Sequence, residues 1–302
     1  MNEILDLVII GAGPAGMTAA LYASRAMLNF AIIEKGFPGG QVINTYEVDN
    51  YLGIKMTTGM ELTNMFLEHI NELGVEVKTE DVEEITIDGD IKTIKTYSGT
   101  YQAKTVILAT GASWRKLGVE GEARLAGRGV SYCATCDGAF YKGKDVMVVG
   151  GGDVAVEDAI YLSRMCKKVT IIHRRDEFRA VKVLQEKLFK VENIEVLWFT
   201  ELEEILGDEV ITGARVINNQ TKEVKTIEVD GVFVAVGNIP NTGLLAGKVD
   251  TDSSGWIIAD ENCETSVPGI FAAGDLRVKS LRQIVTASAD GAISVFAAEK
   301  YV

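Results

Sequence analysis

A glycine loop that occurs twice in the same setting constrains this chain more than any other feature. Leu5 to Ile10 is a short apolar run of the kind a parallel strand covered on both faces shows. It ends in Gly11-Ala12-Gly13-Pro14-Ala15-Gly16, and the helical pattern of Met17 to Arg25 follows. Asp145 to Val149 repeats the strand, Gly150-Gly151-Gly152-Asp153-Val154-Ala155 repeats the loop as G-x-G-x-x-A, and Val156 to Met165 repeats the helix. Such a loop turns tightly and brings backbone close to a pyrophosphate, whose charge the helix N-terminus favours. One match to so short a pattern is weak; two in register are specific. In the first copy the next strand, Phe30 to Ile33, ends at Glu34, 23 residues after Gly11. In the second, Val169 to Ile172 ends at His173, 23 residues after Gly150, with Arg174 and Arg175 directly behind and Arg179 one helical turn further on. A carboxylate at that place suits a free ribose 2′-hydroxyl, and an arginine cluster suits a 2′-phosphate.

Both copies also close alike. Thr105 to Gly111 and Gly231 to Gly237 are apolar strands running into a glycine turn, and a third such strand, Gly269 to Asp275, belongs to neither copy. It needs a sheet to join, and the first copy is the natural host, which makes the middle of the chain an insertion. The expected class is therefore α/β, with two Rossmann-like dinucleotide-binding domains, one inserted into the other: residues 1–112, 113–241 and 242–302, with Pro240-Asn241 as the second break. Thr58 to Leu73 reads as a helix and Val75 to Tyr101 as a small antiparallel appendage.

Charge narrows the partners. A formal charge of -13 argues against a sequence-independent grip on nucleic acid or anionic lipid. Yet residues 113–241 hold 18 of the 30 basic residues, as a segment aimed at a small anion or a partner would. No apolar stretch approaches the ~18 residues of a spanning helix, and MNEILDLVII has no secretory pattern. Four cysteines make no disulfide framework, so a thiol pair here is expected to work in a reducing, cytoplasmic setting.

Cys133-Ala134-Thr135-Cys136-Asp137 is the candidate for chemistry, and three readings compete for it: half a zinc site, two buried small hydrophobes, or a dithiol/disulfide couple. Zinc lacks further ligands, because Cys166 and Cys263 are isolated and the only histidines are His69 and His173. In the third reading a helix start steadies the thiolate, and Asp137 is placed to move a proton as one sulfur leaves.

The assembly resembles the low-molecular-weight, bacterial-type thioredoxin reductases over essentially the whole chain. The motifs that carry the likeness are GAGPAG at 11–16, GGQ at 39–41 with Asn50, CATCDG at 133–138, GGGDVAVE at 150–157, HRRDEFRA at 173–180 and GIFAAGD at 269–275 with Arg282-Gln283. The resemblance implies FAD in the outer domain, with Gly11, Gly13, Pro14, Ala15 and Gly16 on its pyrophosphate, Glu34 at the adenosine ribose and Lys35 among the cofactor-binding residues. Gly40, Gln41, Asn50, Val82, Gly274, Asp275, Arg282, Gln283 and Ile284 would lie around the rest. It implies NADPH in the inserted domain on Gly152, Asp153, Arg174, Arg175 and Arg179, and a homodimer. It further implies that Cys136 faces the flavin, Cys133 attacks the thioredoxin disulfide, Asp137 handles the proton, and Gly127-Arg128-Gly129 touches thioredoxin. The disulfide and the nicotinamide would ride on one domain and must both reach one flavin, so a domain rotation about residues 112–116 and 238–243 is expected. Asn238, where many relatives have histidine, and Tyr132, where a small residue is common, depart from the pattern. Three rivals are kept. The flavoprotein of a peroxiredoxin system would carry a further N-terminal dithiol module, a ferredoxin-linked relative would lack the arginines, and a nucleotide-sensing binding protein would have only structural cysteines.

Overall fold

The computed structural model describes residues 4–45, 48 and 50–302. Strand β1 (Ile4–Ile10) is central because both of its faces are covered. Leu7 and Ile9 join one core with Met17, Ala19, Ala20 and Ala23 of helix α1 (Pro14–Arg25), while Val8 and Ile10 join another with Ile85 and Ile94. Pro14 opens α1 where a missing N–H costs nothing. Strand β2 (Phe30–Glu34) runs parallel to β1. Helix α2 (Gly59–Glu72) is capped reciprocally: Glu61 N donates to Thr58 Oγ1 and Thr58 N donates to Glu61 Oε2.

Strand β3 (Val77–Thr79) pairs parallel with β2, so it extends the main sheet and is not part of an antiparallel appendage as its sequence pattern suggests. Glu80 N donates to Glu34 O and fixes it there. Strands β4 (Val82–Asp88) and β5 (Ile91–Thr96) do form an antiparallel hairpin, laid on the N-terminal half of β6 (Thr100–Leu108). Strand β7 (Ala112–Trp114) then leads into the second of two compact units. The first is Met1–Ser113 with Ile239–Val302, the second Trp114–Asn238.

The second unit contains α3 (Glu122–Leu125), β8 (Val130–Ser131), α4 (Ala134–Asp137), β9 (Asp145–Gly150), α5 (Asp153–Ser163), β10 (Lys168–Ile172), α6 (Lys182–Leu188) and β11 (Ile194–Leu197). An antiparallel meander follows, β12 (Thr200–Leu206), β13 (Gly213–Asn218) and β14 (Val224–Ile227), and then β15 (Gly231–Ala235). The parallel sheet runs β11-β10-β9-β15-β8. Alternation within β9 again serves two cores. Val146 and Val148 pack with Ala155, Val156, Ala159 and Leu162 of α5, and Met147 and Val149 with Leu202, Ile205, Ala214 and Val216 of the meander.

Strand β16 (Asn238–Pro240) pairs with β7, so the two chain crossings form one ribbon. Back in the first unit, β17 (Ile270–Ala272) joins the C-terminal half of β6, completing a sheet ordered β3-β2-β1-β6-β5-β4 with β17 on β6. The third glycine-ended strand thus finds the host expected for it. Helix α7 (Ile284–Ala298) lies so close on α1 that a Cβ at Gly291 would fall 2.1 Å from Ala15 O.

Candidate active site

In the first unit the C-terminal ends of β1, β2 and β17 share one edge of a parallel array, where an open α/β sheet takes its ligand. Gly11 has φ +105°, and a Cβ there would lie 2.4 Å from Ala109 O. A Cβ at Gly16 would lie 1.8 Å from Gly11 O, so strand, loop and helix meet at a distance only glycine allows. Glu34 Oε2 accepts from Ala12 N at 2.8 Å and Oε1 from Gly36 N at 3.0 Å. These bonds orient the carboxylate and leave it lone pairs for a hydroxyl pair. Gly39 N donates to Ala12 O at 2.7 Å, which draws the next turn over the loop. A Cβ on Gly40 would stand 3.4 Å from Gly13 Cα, so the two glycines face each other in a cradle that side chains would fill.

Around this cradle Gln41 Nε2 donates to Ala112 O, and Asn50 Nδ2 donates to Gln283 Oε1 at 3.1 Å. Gly274 abuts Ala15, where a Cβ would come to 3.1 Å of the Ala15 Cβ. Next to it Asp275 keeps a buried Oδ1 with no partner among the described residues. Burial pushes its pKa up, while Lys279 and Arg282 pull it down. Arg282 lies 3.7 Å over the Trp256 ring and its Nε donates to Asp275 O at 3.2 Å. Ile284 packs against Val42, Val48 and Leu62, and Val82 is buried beside Ile85. Lys35 is an exposed side chain directly after Glu34. A side-chain-free cradle, a carboxylate with open lone pairs and an unpartnered buried carboxyl oxygen fit a large polyhydroxylated dinucleotide. Trp256 escaped the sequence reading, since no motif surrounds it.

In the second unit the equivalent loop precedes α5. His173 is 6% exposed, its Nε2 has no partner among the described residues, and a Cβ at Gly151 would strike its ring at 2.3 Å. Burial first, then Arg179, Arg174 and Arg175, hold the imidazole below its ordinary pKa of 6.5. The arginines do not lie on a helix, as their spacing suggested; α6 starts only at Lys182. Phe178 and Ala180 are drawn into the core, Arg179 N donates to Gly151 O at 2.7 Å, and Val181 N donates to Asp153 Oδ1 at 2.8 Å. The segment is therefore folded back against the glycine loop. Arg174, Arg175 and Arg179 are exposed and make no ion pair among the described residues. Gly152 has open space where its Cβ would be. Three unpaired cations beside an open loop fit a phosphorylated nucleotide.

The Cys-x-x-Cys segment is held at its head: Cys133 N donates to Ser131 Oγ at 3.1 Å, and Ser131 Oγ to Cys133 O at 3.2 Å. Cys133 is half-buried and disulfide-bonded, with Thr135 Oγ1 3.3 Å from its Sγ. Asp137 N closes the single turn of α4 by donating to Cys133 O. The backbone of Cys136 lies in that turn, and its side chain lies outside the described residues. Of the three readings of the motif, a disulfide-bonded Cys133 fits the dithiol/disulfide couple. Cys166 and Cys263 are free and buried; burial, with Asp145 and Asp290 respectively, pushes their thiols up to about 11 and about 12. Tyr132 has a role that sequence did not reveal. Its hydroxyl donates to the buried Glu122, which accepts from Leu117 N and Gly118 N, and its ring stacks on Trp114. Arg128 stands exposed between Gly127 and Gly129, both at positive φ.

Comparison with known proteins agrees with this arrangement. The pattern of the pyridine nucleotide-disulphide oxidoreductase family matches residues 5–291. The thioredoxin reductase of Listeria monocytogenes is 50% identical over 302 residues, covering 100% of this chain and 95% of that protein. That of Bacillus subtilis is 47% identical, covering 100% and 96%. The crystal structure of Lactococcus lactis thioredoxin reductase, 45% identical, superposes with a TM-score of 0.93 over 98% of both chains. With the two glycine loops and the disulfide-bonded Cys133 on the same chain, these full-length matches mean that the protein belongs to the pyridine nucleotide-disulphide oxidoreductase family, among its thioredoxin reductases.

Proposed function

We propose that the chain reduces the disulfide of thioredoxin with electrons from NADPH, through FAD and a Cys133–Cys136 disulfide. The observation that carries this reading is the disulfide-bonded Cys133 in the same unit as a dinucleotide loop ringed by unpaired arginines. FAD supplies the step from two-electron hydride chemistry to thiol chemistry. The residues of the chain do the rest. The Gly13–Gly40 cradle would admit its pyrophosphate, Glu34 would take the adenosine ribose, and Asp275 would offer its unpartnered Oδ1 as an acceptor. Arg174, Arg175 and Arg179 take the 2′-phosphate of NADPH, and Gly152 and Asp153 start the helix that faces its pyrophosphate.

Once the pair is reduced, Cys133 attacks the thioredoxin disulfide and forms a mixed disulfide. Cys136 then displaces it, restoring the Cys133–Cys136 bond and releasing thioredoxin as a dithiol. Asp137 protonates the leaving thiolate and takes the proton back in the reverse sense. Arg128, exposed between its glycines, contacts thioredoxin. Because disulfide and nucleotide share one unit, they take turns at the flavin, with the β7–β16 ribbon as hinge. The working form is a cytoplasmic homodimer. The exposed Tyr22, Ile293 and Phe296, in one groove of the first unit rimmed by Glu261, Asn262 and Glu299, support the dimer. No described helix is long and apolar enough to cross a membrane.

Steady-state reduction of thioredoxin with NADPH or NADH tests the reading. Charge-assisted bonds contribute about 1.5–3 kcal/mol each. Replacing Arg174 and Arg175 by Ala should therefore raise KM for NADPH by roughly 10²-fold or more and leave the NADH reaction nearly unchanged. Equal kcat/KM for the two nucleotides in the unaltered protein contradicts the assignment.

A further inference from the structure

Asp290 lies in the middle of α7, is 3% exposed and belongs to none of the motifs. A carboxylate buried in a helix interior is costly unless it is fully paired. This one accepts four hydrogen bonds. Arg277 Nε donates to Oδ2 at 2.9 Å and Arg277 Nη2 to Oδ1 at 2.7 Å, and Lys279 Nζ and Gly274 N donate to Oδ2 at 2.7 and 2.9 Å. All the donors come from one short turn, residues 274–279, and that turn carries Asp275. The neighbouring Gly291 seats α7 on the Ala15 carbonyl of α1. One point of α7 therefore fastens both the glycine-loop helix and the Asp275 turn.

We propose that Asp290 is a positioning residue for the flavin site: it holds the 274–279 turn and engages Arg277 and Lys279, so that Asp275 Oδ1 stays free for the cofactor. The inference rests on the reading of Asp275 as a flavin contact. Asp275 and Asp290 share one cation, Lys279, with Arg277 bonded to Asp290 and Arg282 acting on Asp275. Taking away the charge of Asp290 leaves Lys279 without its carboxylate, and Asp275 becomes its nearest anion. The unpartnered oxygen is then occupied from within the protein.

The charge argument makes two variants move in opposite directions. Asp290→Asn adds one net positive charge beside the flavin site and Lys279→Met removes one. Electron uptake makes the flavin more negative, so a positive surrounding favours it. Asp290→Asn should weaken FAD binding to the apoprotein at least tenfold, the loss of one charge-assisted bond, and shift the midpoint potential of bound FAD upward. Lys279→Met should shift the potential downward. FAD affinity is read by fluorescence quenching, potential by dye equilibration, and folding of each apoprotein by its melting temperature. Potentials that stay put, or that both move the same way, in variants melting like the parent apoprotein overturn the proposal. Should Asp290→Asn fail to fold, Lys279→Met decides alone: a downward shift supports the proposal, and no shift or an upward one overturns it. Asp275→Asn separates the underlying reading. If it leaves FAD affinity unchanged, the flavin contact itself is wrong. If it weakens binding while the other two variants have no effect, only the role of Asp290 falls.

Discussion

Cys166 and Cys263 differ from Cys133 in both surroundings and state: they are buried free thiols, whereas Cys133 is half-buried and disulfide-bonded. Burial raises both thiols to about 11 and about 12, so at neutral pH neither is a thiolate and neither is reachable. Cys133, half-exposed and already bonded to sulfur, presents no thiol until it is reduced. Titration of the oxidised protein with an aromatic disulfide reagent should thus find essentially no thiol in the native state and, if Cys133 and Cys136 are paired, two after denaturation. Reduction before denaturation should expose all four cysteines. Four thiols in the denatured, unreduced protein would remove the disulfide from the mechanism. At this scale the glycines were legible, because the reason for each is local: a Cβ at Gly11, Gly16 or Gly151 has nowhere to go. The Arg282–Trp256 stack and the Asp290 cluster were not legible. Their partners approach across turns whose course no short pattern encodes.

Elements were read well where both faces of a strand are apolar, as in β1 and β9, since continuous burial leaves a continuous run of Val, Ile and Leu. They were misread where a tertiary bond overrides periodicity. Strand β3 follows β2 because Glu80 N finds Glu34 O, and the arginine segment stays irregular because its backbone serves Gly151 and Asp153. Helix α5 carries a liability that its sequence does not advertise. Burial, with a smaller contribution from Glu157, raises Asp158 from 3.8 to about 7. Between those values the folded chain holds a proton that the unfolded chain releases. The stabilisation is full below pH 4 and is lost as pH rises through 7. At about 1.4 kcal/mol per pKa unit, ionised Asp158 costs on the order of 4 kcal/mol at pH 8. Asp158→Asn should accordingly raise Tm at pH 8 and change it little at pH 4. An equal change at both would mean that the carboxyl titrates normally.

The whole molecule is a chain that leaves one unit and returns to it through a single ribbon. Arg115 N donates to Gly237 O at 2.9 Å on one side of the crossings, and Ser113 Oγ to Asn241 Oδ1 at 2.8 Å on the other. The ends of the inserted unit are therefore adjacent, as they are in domains that tolerate insertion. Its core is also its own. Val146, Val148 and Phe233 on one face and Met147, Val149 and Val232 on the other are each covered from within residues 114–238. A domain with both sheet faces filled by its own helices and strands has no need of the other unit to bury apolar surface. The excised segment Trp114–Asn238 should then fold by itself, melt in one cooperative step and bind NADPH without FAD, because Gly152, Asp153 and the three arginines travel with it. Calorimetry and NADPH fluorescence check this. The isolated segment should show no disulfide reductase activity, since the Glu34, Gly40 and Asp275 groups that would hold FAD remain in the other unit. A segment that stays unfolded would mean that contacts with the outer unit supply stability its own two cores do not. A segment that folds but ignores NADPH would shift suspicion from the core to the arginine loop.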